Sequence, residues 1–314
     1  MIISASRRTD IPTYYSEWFM NRIREGFVLV RNPMNIHQIS RISLAPGVVD
    51  GIVFWTKNPL PMLDKLDGLK DYTYYFQFTI TPYGRDVEPN IPSKNDVIIP
   101  AFKRLTDRLG PERVIWRYDP IMLSPKYTME YHMQAFEKIA SQLKSYTKKV
   151  TISFIDLYRN TTNNVKVLDL VDLSRERIRE LSQALSGIAQ SYGLKIDTCA
   201  EEIDLQQFGI DHARCIDNKL FEKLLGCSLE VDKDKNQRKE CGCVASIDIG
   251  MYNTCKNGCR YCYANFSEKA VKTNTSKHYP TSPLQFGDVG NDDVVKERKI
   301  ESCRDGQMRL TDGL

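Results

Sequence analysis

The chain has nine cysteines among 314 residues, and none precedes Cys199. Cys255, Cys259 and Cys262, in the run TCKNGCRYCYANF, are spaced C-x3-C-x2-C. Three thiolates on one tight loop can hold three irons of a [4Fe–4S] cube and leave the fourth iron without a protein ligand. An iron left open in this way can bind a substrate or cosubstrate directly. Gly258 lets the loop turn back, and Tyr261 offers an aromatic face to a planar ligand. Structural zinc is the other chemistry of such a set, but it asks for a fourth ligand, here Cys241 or Cys243. Ligand number and spacing favour the cluster.

Cys199, Cys215, Cys241 and Cys243 form a second possible set. Cys199 ends a candidate strand, Cys215 precedes an apolar helix at 217–225, and the other two precede a strand at 244–249. They could bind an auxiliary [4Fe–4S] cluster or a structural zinc, or be buried as small hydrophobes. Cys227 and Cys303 have no partner at a telling spacing. An odd cysteine count in a large chain argues against a disulfide framework. The four histidines are scattered, and no Ser–His–Asp, P-loop or zinc-protease pattern occurs.

The elements that must position these residues are legible as apolar runs. Strands are expected at 2–6, 51–56, 73–80, 113–118, 149–156, 194–198 and 244–249. Several are nearly continuous, as in a parallel sheet buried on both faces. Helices are expected at 13–25, 94–109, 128–146 and 174–192, with Thr128 and Ser174 as caps and Gly193 at the last helix's end. Strand–helix alternation without a dinucleotide fingerprint predicts a (β/α) barrel, partial or complete and TIM-like. Its body spans 1–226, a cysteine-rich segment at 227–266 completes it, and 267–314 is an irregular tail, wrapped on the barrel or partly disordered. Residues 27–48 break the alternation as a hairpin.

Chemistry in such folds gathers at the C-terminal strand ends. Those ends carry Arg7, Arg8 and Asp10, then Thr56, Lys57 and Asn58, then Thr81, Tyr83 and Arg85. Further along come Arg117, Tyr118 and Asp119, then Asp156 and Tyr158, and finally Cys199, Glu201 and Glu202. Any one of them is as readily a helix cap or a loop ion pair. Together they predict one polar mouth, rich in Arg and Lys and suited to carboxylate or phosphate groups. Arg117 and Asp119, two apart on one strand, share a face.

Lys and Arg total 44 against 40 Asp and Glu, a net charge of +4. That balance argues for neither nucleic acid nor an anionic membrane as partner. No apolar run approaches the roughly 20 residues of a membrane span. The opening MIISASRRTD lacks a charged region ahead of its short apolar stretch, so a cytoplasmic location is expected.

TCKNGCRYCYANF resembles the cluster loop of radical S-adenosylmethionine (SAM) enzymes, whose motif is C-x3-C-x-aromatic-C. Its YCYAN ending is similar to the branch that includes spore photoproduct lyase. The whole chain resembles an uncharacterised bacterial domain-of-unknown-function family with a C-terminal cysteine cluster of this kind. That similarity rests on SRRTDIP at 6–12, FWTKNP at 54–59, WRYDPI at 116–121 and CGCVASIDIGMYNTC at 241–255.

The resemblance implies that SAM chelates the open iron. An electron, from a donor such as flavodoxin or ferredoxin, then cleaves SAM to a 5′-deoxyadenosyl radical that takes hydrogen from a substrate. Tyr261 would flank the adenine, with Thr56, Asn58 and Arg117 also at the cofactor. Arg7, Arg8, Lys57 and Arg117 would meet the SAM carboxylate or a charged substrate, with Asp10 and Asp119 beside them. Radical SAM enzymes carry this loop after the first barrel strand, whereas here it follows the last. A circular permutation reconciles the two if 244–249 lies beside 2–6, giving the order 244–249, 2–6, 51–56, 73–80, 113–118, 149–156, with 194–198 extending it. The alternative is a zinc- or cluster-stabilised binding protein that keeps the fold without radical chemistry.

Overall fold

The computed structural model describes residues 1–156 and 162–305. Tyr158 and the last part of the tail lie outside that range. The strands are β1 (Ile2–Ala5), β2 (Phe27–Asn32), β3 (Asn35–Ser43), β4 (Gly51–Thr56), β5 (Tyr74–Thr79), β6 (Val114–Ile121), β7 (Lys149–Phe154), β8 (Lys195–Thr198), β9 (Asp211–His212), β10 (Ile247–Asp248) and β11 (Val294–Glu297). The helices are α1 (Ile11–Tyr14), α2 (Ser16–Glu25), α3 (Leu60–Leu63), α4 (Ile99–Leu109), α5 (Met129–Leu143), α6 (Thr162–Val165), α7 (Arg175–Ser191), α8 (Asn218–Leu225) and α9 (Glu268–Ser276).

Eight strands form one parallel sheet in the order β10-β1-β4-β5-β6-β7-β8-β9. Side chains alternate between two buried faces. On β4, β5 and β6, residues Phe54, Phe76 and Trp116 enter the main core, while Val53, Tyr75 and Ile115 enter a second one. This double burial is why these strands read as unbroken apolar runs. Helices cover the first face through aromatic contacts: Phe19 on Phe54, Phe102 on Phe78, and Phe136 stacked on Trp116 at 4.8 Å between centroids. Thr128 and Ser174 cap α5 and α7 through their side chains.

The expected neighbours are neighbours: Ile3 pairs with Ile247 and Ser4 with Asp248. Three expectations change. No pairing joins β9 to β10 among the described residues, so a complete, closed barrel is not formed by hydrogen bonding. The helix expected at 13–25 is two helices, separated at Tyr15, whose side chain is buried with its hydroxyl on the Thr254 carbonyl. The tail, expected to be irregular, contains α9 and β11, and β11 extends the β2–β3 hairpin into a second sheet of order β11-β3-β2.

Apart from Leu284, which is buried against Leu29 and Ile39, polar contacts do much to hold that tail. Arg31 grips Asp293 with two hydrogen bonds of 2.8 and 2.7 Å, Arg41 meets Glu297, and the Trp18 and Arg22 side chains donate to carbonyls of Ser282 and Thr281. Its hydropathy therefore carries no sign of its order.

Phe221 of α8 lies against the start of β4. A Cβ on Gly51 would stand 2.1 Å from the Phe221 ring. Gly51→Ala is therefore expected to cost about 1–3 kcal/mol in urea unfolding. Gly47→Ala, where nothing lies within 4 Å, should stay within about 0.5 kcal/mol of the parent.

Candidate metal centre

The cysteine loop leaves β10 at Asp248, whose carboxylate accepts hydrogen bonds from Ser4 Oγ (2.8 Å), Ser6 Oγ (2.5 Å), Arg7 N (2.8 Å) and Gly250 N (3.0 Å). Beyond it the loop is tied to three other parts of the fold. From α1, Tyr14 donates to Asn257 Oδ1 at 2.8 Å. Asn257 in turn donates to Asp10 Oδ2 at 3.2 Å. From the segment after β5, Asn90 donates to the Lys256 carbonyl, and Arg260 N donates to the Val87 carbonyl. Tyr263 reaches back to the Arg7 carbonyl. Gly258 sits at φ +69°, and a Cβ there would press on Asn90 and Pro89 at 3.1 and 3.2 Å.

Cys255 and Cys259 are buried and Cys262 is partly so, all as free thiols. Burial pushes the Cys259 thiol up to about 12, with the Lys57 ammonium pulling the other way. Burial likewise raises Cys255 and Cys262, and Cys255 feels the charge of the other two. Metal binding here must therefore displace thiol protons. Among the described residues, no three His, Cys, Asp or Glu side chains are arranged to hold a single metal ion. A cube takes one thiolate per iron and needs no such convergence. Three buried soft donors on one loop, beside a lysine that offsets negative charge, suit it.

The electrostatic centre beside this loop is Glu88, a residue that sequence reasoning missed. It is 1% exposed. Its carboxylate accepts from Lys57 Nζ (2.8 Å), Lys94 Nζ (2.5 Å), Thr81 Oγ1 (2.8 Å) and the Tyr261 hydroxyl. Burial alone would raise its pKa, but the two lysines outweigh it and hold the acid at about 2. Lys57 also stands 5.5 Å from the centroid of the Tyr261 ring. The ring expected to lie against a planar ligand is thus pinned at its hydroxyl and has an ammonium close by.

The expected mouth residues divide between two neighbourhoods. Asp10, Thr56, Lys57 and Tyr261 gather at the loop. Asp10 is buried and fully engaged: it accepts from Thr56 Oγ1 (2.9 Å), Lys57 N (2.8 Å), Thr13 N (3.0 Å) and Asn257. Expected beside reacting groups, it instead fastens the ends of β1 and β4 to the loop. Asn58 serves its own turn, accepting from Leu60 N and Thr13 Oγ1. Arg8 lies over the Tyr252 ring and donates to the Gly250 carbonyl.

Arg7 and Arg117 turn away from the loop. Arg7 reaches Ser246 Oγ (3.3 Å) and Asp234 (3.7 Å). Arg117, buried on β6, pairs with Asp119 and donates to Cys215 Sγ at 2.8 Å. Asp119 also accepts from Ser153. Arg117 and Asp119 do share a face, but they serve the second cysteine set. Glu201 accepts from Phe154 N, and burial lifts its pKa to about 7. A cavity of about 580 Å³ lined by Arg31, Met251, Tyr252, Phe266 and Asp293 includes none of the loop cysteines.

Of the residues missed, Asp248 left a signal: a lone acid closing an apolar strand at its C-terminal end. Glu88, Lys94 and Asn257 left none: no periodicity links Glu88 to Lys94, and Lys57, Tyr261, Tyr14 and Asp10 are distant in sequence from the groups they meet.

The family model described as "Domain of unknown function (DUF1848)" matches residues 2–264. The chain belongs to this family. No curated protein matches it. The DUF1848 region takes in the eight-stranded sheet and both cysteine sets, and it ends two residues after Cys262. Cys303 and β11 lie beyond it. No helix among the described residues is long and apolar enough to cross a membrane.

Replacing Glu88 by Gln leaves two lysine ammonium groups in a buried site without their counter-charge. A loss of about 3–5 kcal/mol is expected at neutral pH. Because the folded pKa lies below the ordinary 4.5, this stability is present above pH 4.5 and lost as pH falls toward 2. Urea titrations at several pH values should show the gap between parent and Glu88→Gln closing over that window.

Proposed function

We propose that this DUF1848 protein is a radical SAM-type enzyme whose [4Fe–4S] cluster is held by Cys255, Cys259 and Cys262. The observation that carries this reading is the position of the C-x3-C-x2-C loop. It emerges from the C-terminal end of a parallel strand that pairs with β1. In a sheet of order β10-β1-β4-β5-β6-β7, the loop-bearing strand therefore comes first in space although it comes last in sequence. We take the array to be a permuted partial barrel of the radical SAM kind, extended by β8 and β9.

When bound, the reduced cluster and SAM together supply a 5′-deoxyadenosyl radical capable of abstracting hydrogen from an unreactive position. The chain's own residues orient and shield that chemistry. Lys57, held by Glu88 beside the loop, offers its remaining N–H donors and charge to a carboxylate such as that of SAM. Tyr261, anchored through its hydroxyl to Glu88, presents the edge of the pocket to the adenine. Asp10 and Asn257 keep the loop against the strand ends, so the thiols meet the metal in fixed relative positions. Tyr15, buried, and Tyr14, half-buried, are fastened to the loop by their hydroxyls and shield it from water.

The test is anaerobic purification followed by iron, sulfide and zinc analysis and a reductive assay for SAM cleavage to methionine and 5′-deoxyadenosine. The expected result is about four irons from the loop site, with cleavage driven by dithionite or reduced flavodoxin. Cys259→Ala should lose both the irons and the cleavage. Stoichiometric zinc at the loop, with no SAM cleavage, would leave a metal-stabilised binding protein instead.

A further inference from the structure

The second cysteine set is assembled from three separate stretches of chain. Cys199 follows β8, Cys215 lies between β9 and α8, and Cys241 and Cys243 precede β10. The structure brings all four into one neighbourhood. Cys199 Sγ and Cys215 Sγ are 3.3 Å apart. Cys243 lies close enough to Cys215 and Cys241 for the thiols to influence one another electrostatically. Cys215, Cys243 and Cys241 are 2%, 2% and 4% exposed.

Two features separate this set from ordinary buried cysteines. Thiols buried as small hydrophobes have apolar neighbours, and these share the second core with Ile2, Val53 and Phe221, but they have polar partners as well. Here the fully buried Arg117 guanidinium donates to Cys215 Sγ at 2.8 Å, and the Ile216 amide donates to Cys243 Sγ at 3.3 Å. Hydrogen bonds to sulfur from a cation and a backbone amide are the surroundings of a metal-bound thiolate, where they stabilise the charge on the ligand. The segment between α8 and β10 also needs a fastener. Among the described residues it holds no helix or strand, only the isolated bridges Lys233–Val244 and Leu229–Arg304.

We propose that Cys199, Cys215, Cys241 and Cys243 form a second metal centre, a four-thiolate site distinct from the loop at Cys255, Cys259 and Cys262. Its ligand chemistry is that of a soft metal, zinc or an iron–sulfur unit. No three of these thiols converge on one point as they stand, so binding draws them together. Arg117 faces the site with Asp119 on its other side, and Arg7 lies near Cys243 with Asp234 and Asp248. The centre ties the end of β8 to the strand that launches the first loop, and so steadies both.

The full-length triple variant C255A/C259A/C262A removes every thiol of the first loop and isolates the second set. Purified anaerobically, or reconstituted with zinc or with iron and sulfide, it is expected to hold about one metal centre per chain. Zinc alone, or iron with matching sulfide, distinguishes the two sources. X-ray absorption on the same variant should show sulfur-only ligation, at about 2.3 Å for zinc, which needs no further substitution to fold. Adding C215A and C243A should lower the metal content at least tenfold. No metal in the triple variant, ligation by nitrogen or oxygen, or recovery of the four cysteines as disulfides would overturn the proposal. None of these outcomes depends on whether the first loop cleaves SAM.

Discussion

The pairing of β10 with β1 is the constraint on which the rest depends. Only two residue pairs define it, Ile3 with Ile247 and Ser4 with Asp248. So short a ladder would be weak alone. The Asp248 carboxylate reinforces it with three hydrogen bonds from the β1 end, two from the Ser4 and Ser6 hydroxyls and one from the Arg7 amide, while the Gly250 amide binds it locally. Charge-assisted bonds of this kind are roughly twice as strong as neutral ones. The effect is to set a segment 240 or more residues away directly beside the first strand, at the sheet end where polar side chains collect. Every contact that the cysteine loop makes with α1 and with the segment after β5 follows from that placement.

The polar mouth is divided in two by charge. One half is built on Glu88 with Lys57 and Lys94, the other on Arg117 with Asp119. Buried charges persist only where each is paired and hydrogen-bonded, and both groups meet that requirement. Each cation also neighbours one set of thiols: Lys57 lies beside the loop, and Arg117 touches Cys215. An iron–sulfur or zinc–thiolate centre carries net negative charge, so a lysine at one set and an arginine at the other match what the two sets would need.

The long strands were legible because double burial leaves a plain mark: GIVFWT and TYYFQFTI are largely apolar. Capped helices were legible for the same kind of local reason. Elements held by distant partners were not. β11 is exposed along its length and exists by pairing with β3, and the two-residue β9 exists by pairing with β8. At the site, the cysteine spacing announced the loop, and the adjacency of 244–249 to 2–6 was expected only through the resemblance to radical SAM enzymes. Alternation put Arg117 and Asp119 on one face but not which group they meet on it, and Arg7 was known only as a strand-end residue, so both arginines were expected at the cofactor rather than at the second thiols. Glu88 lies in TPYGRDVEPN, where nothing local separates it from a turn residue; its meaning comes from Lys57, Lys94 and Tyr261.

The central claim is an iron at the Cys255, Cys259 and Cys262 loop with a coordination position open to SAM. Electron paramagnetic resonance of the anaerobic, dithionite-reduced protein tests it most directly, recorded before and after SAM is added. The account predicts a cubane signal whose g values shift on SAM addition, with no such shift in Cys259→Ala. A cluster signal that SAM leaves unchanged, or a protein with no reducible cluster at all, would contradict it.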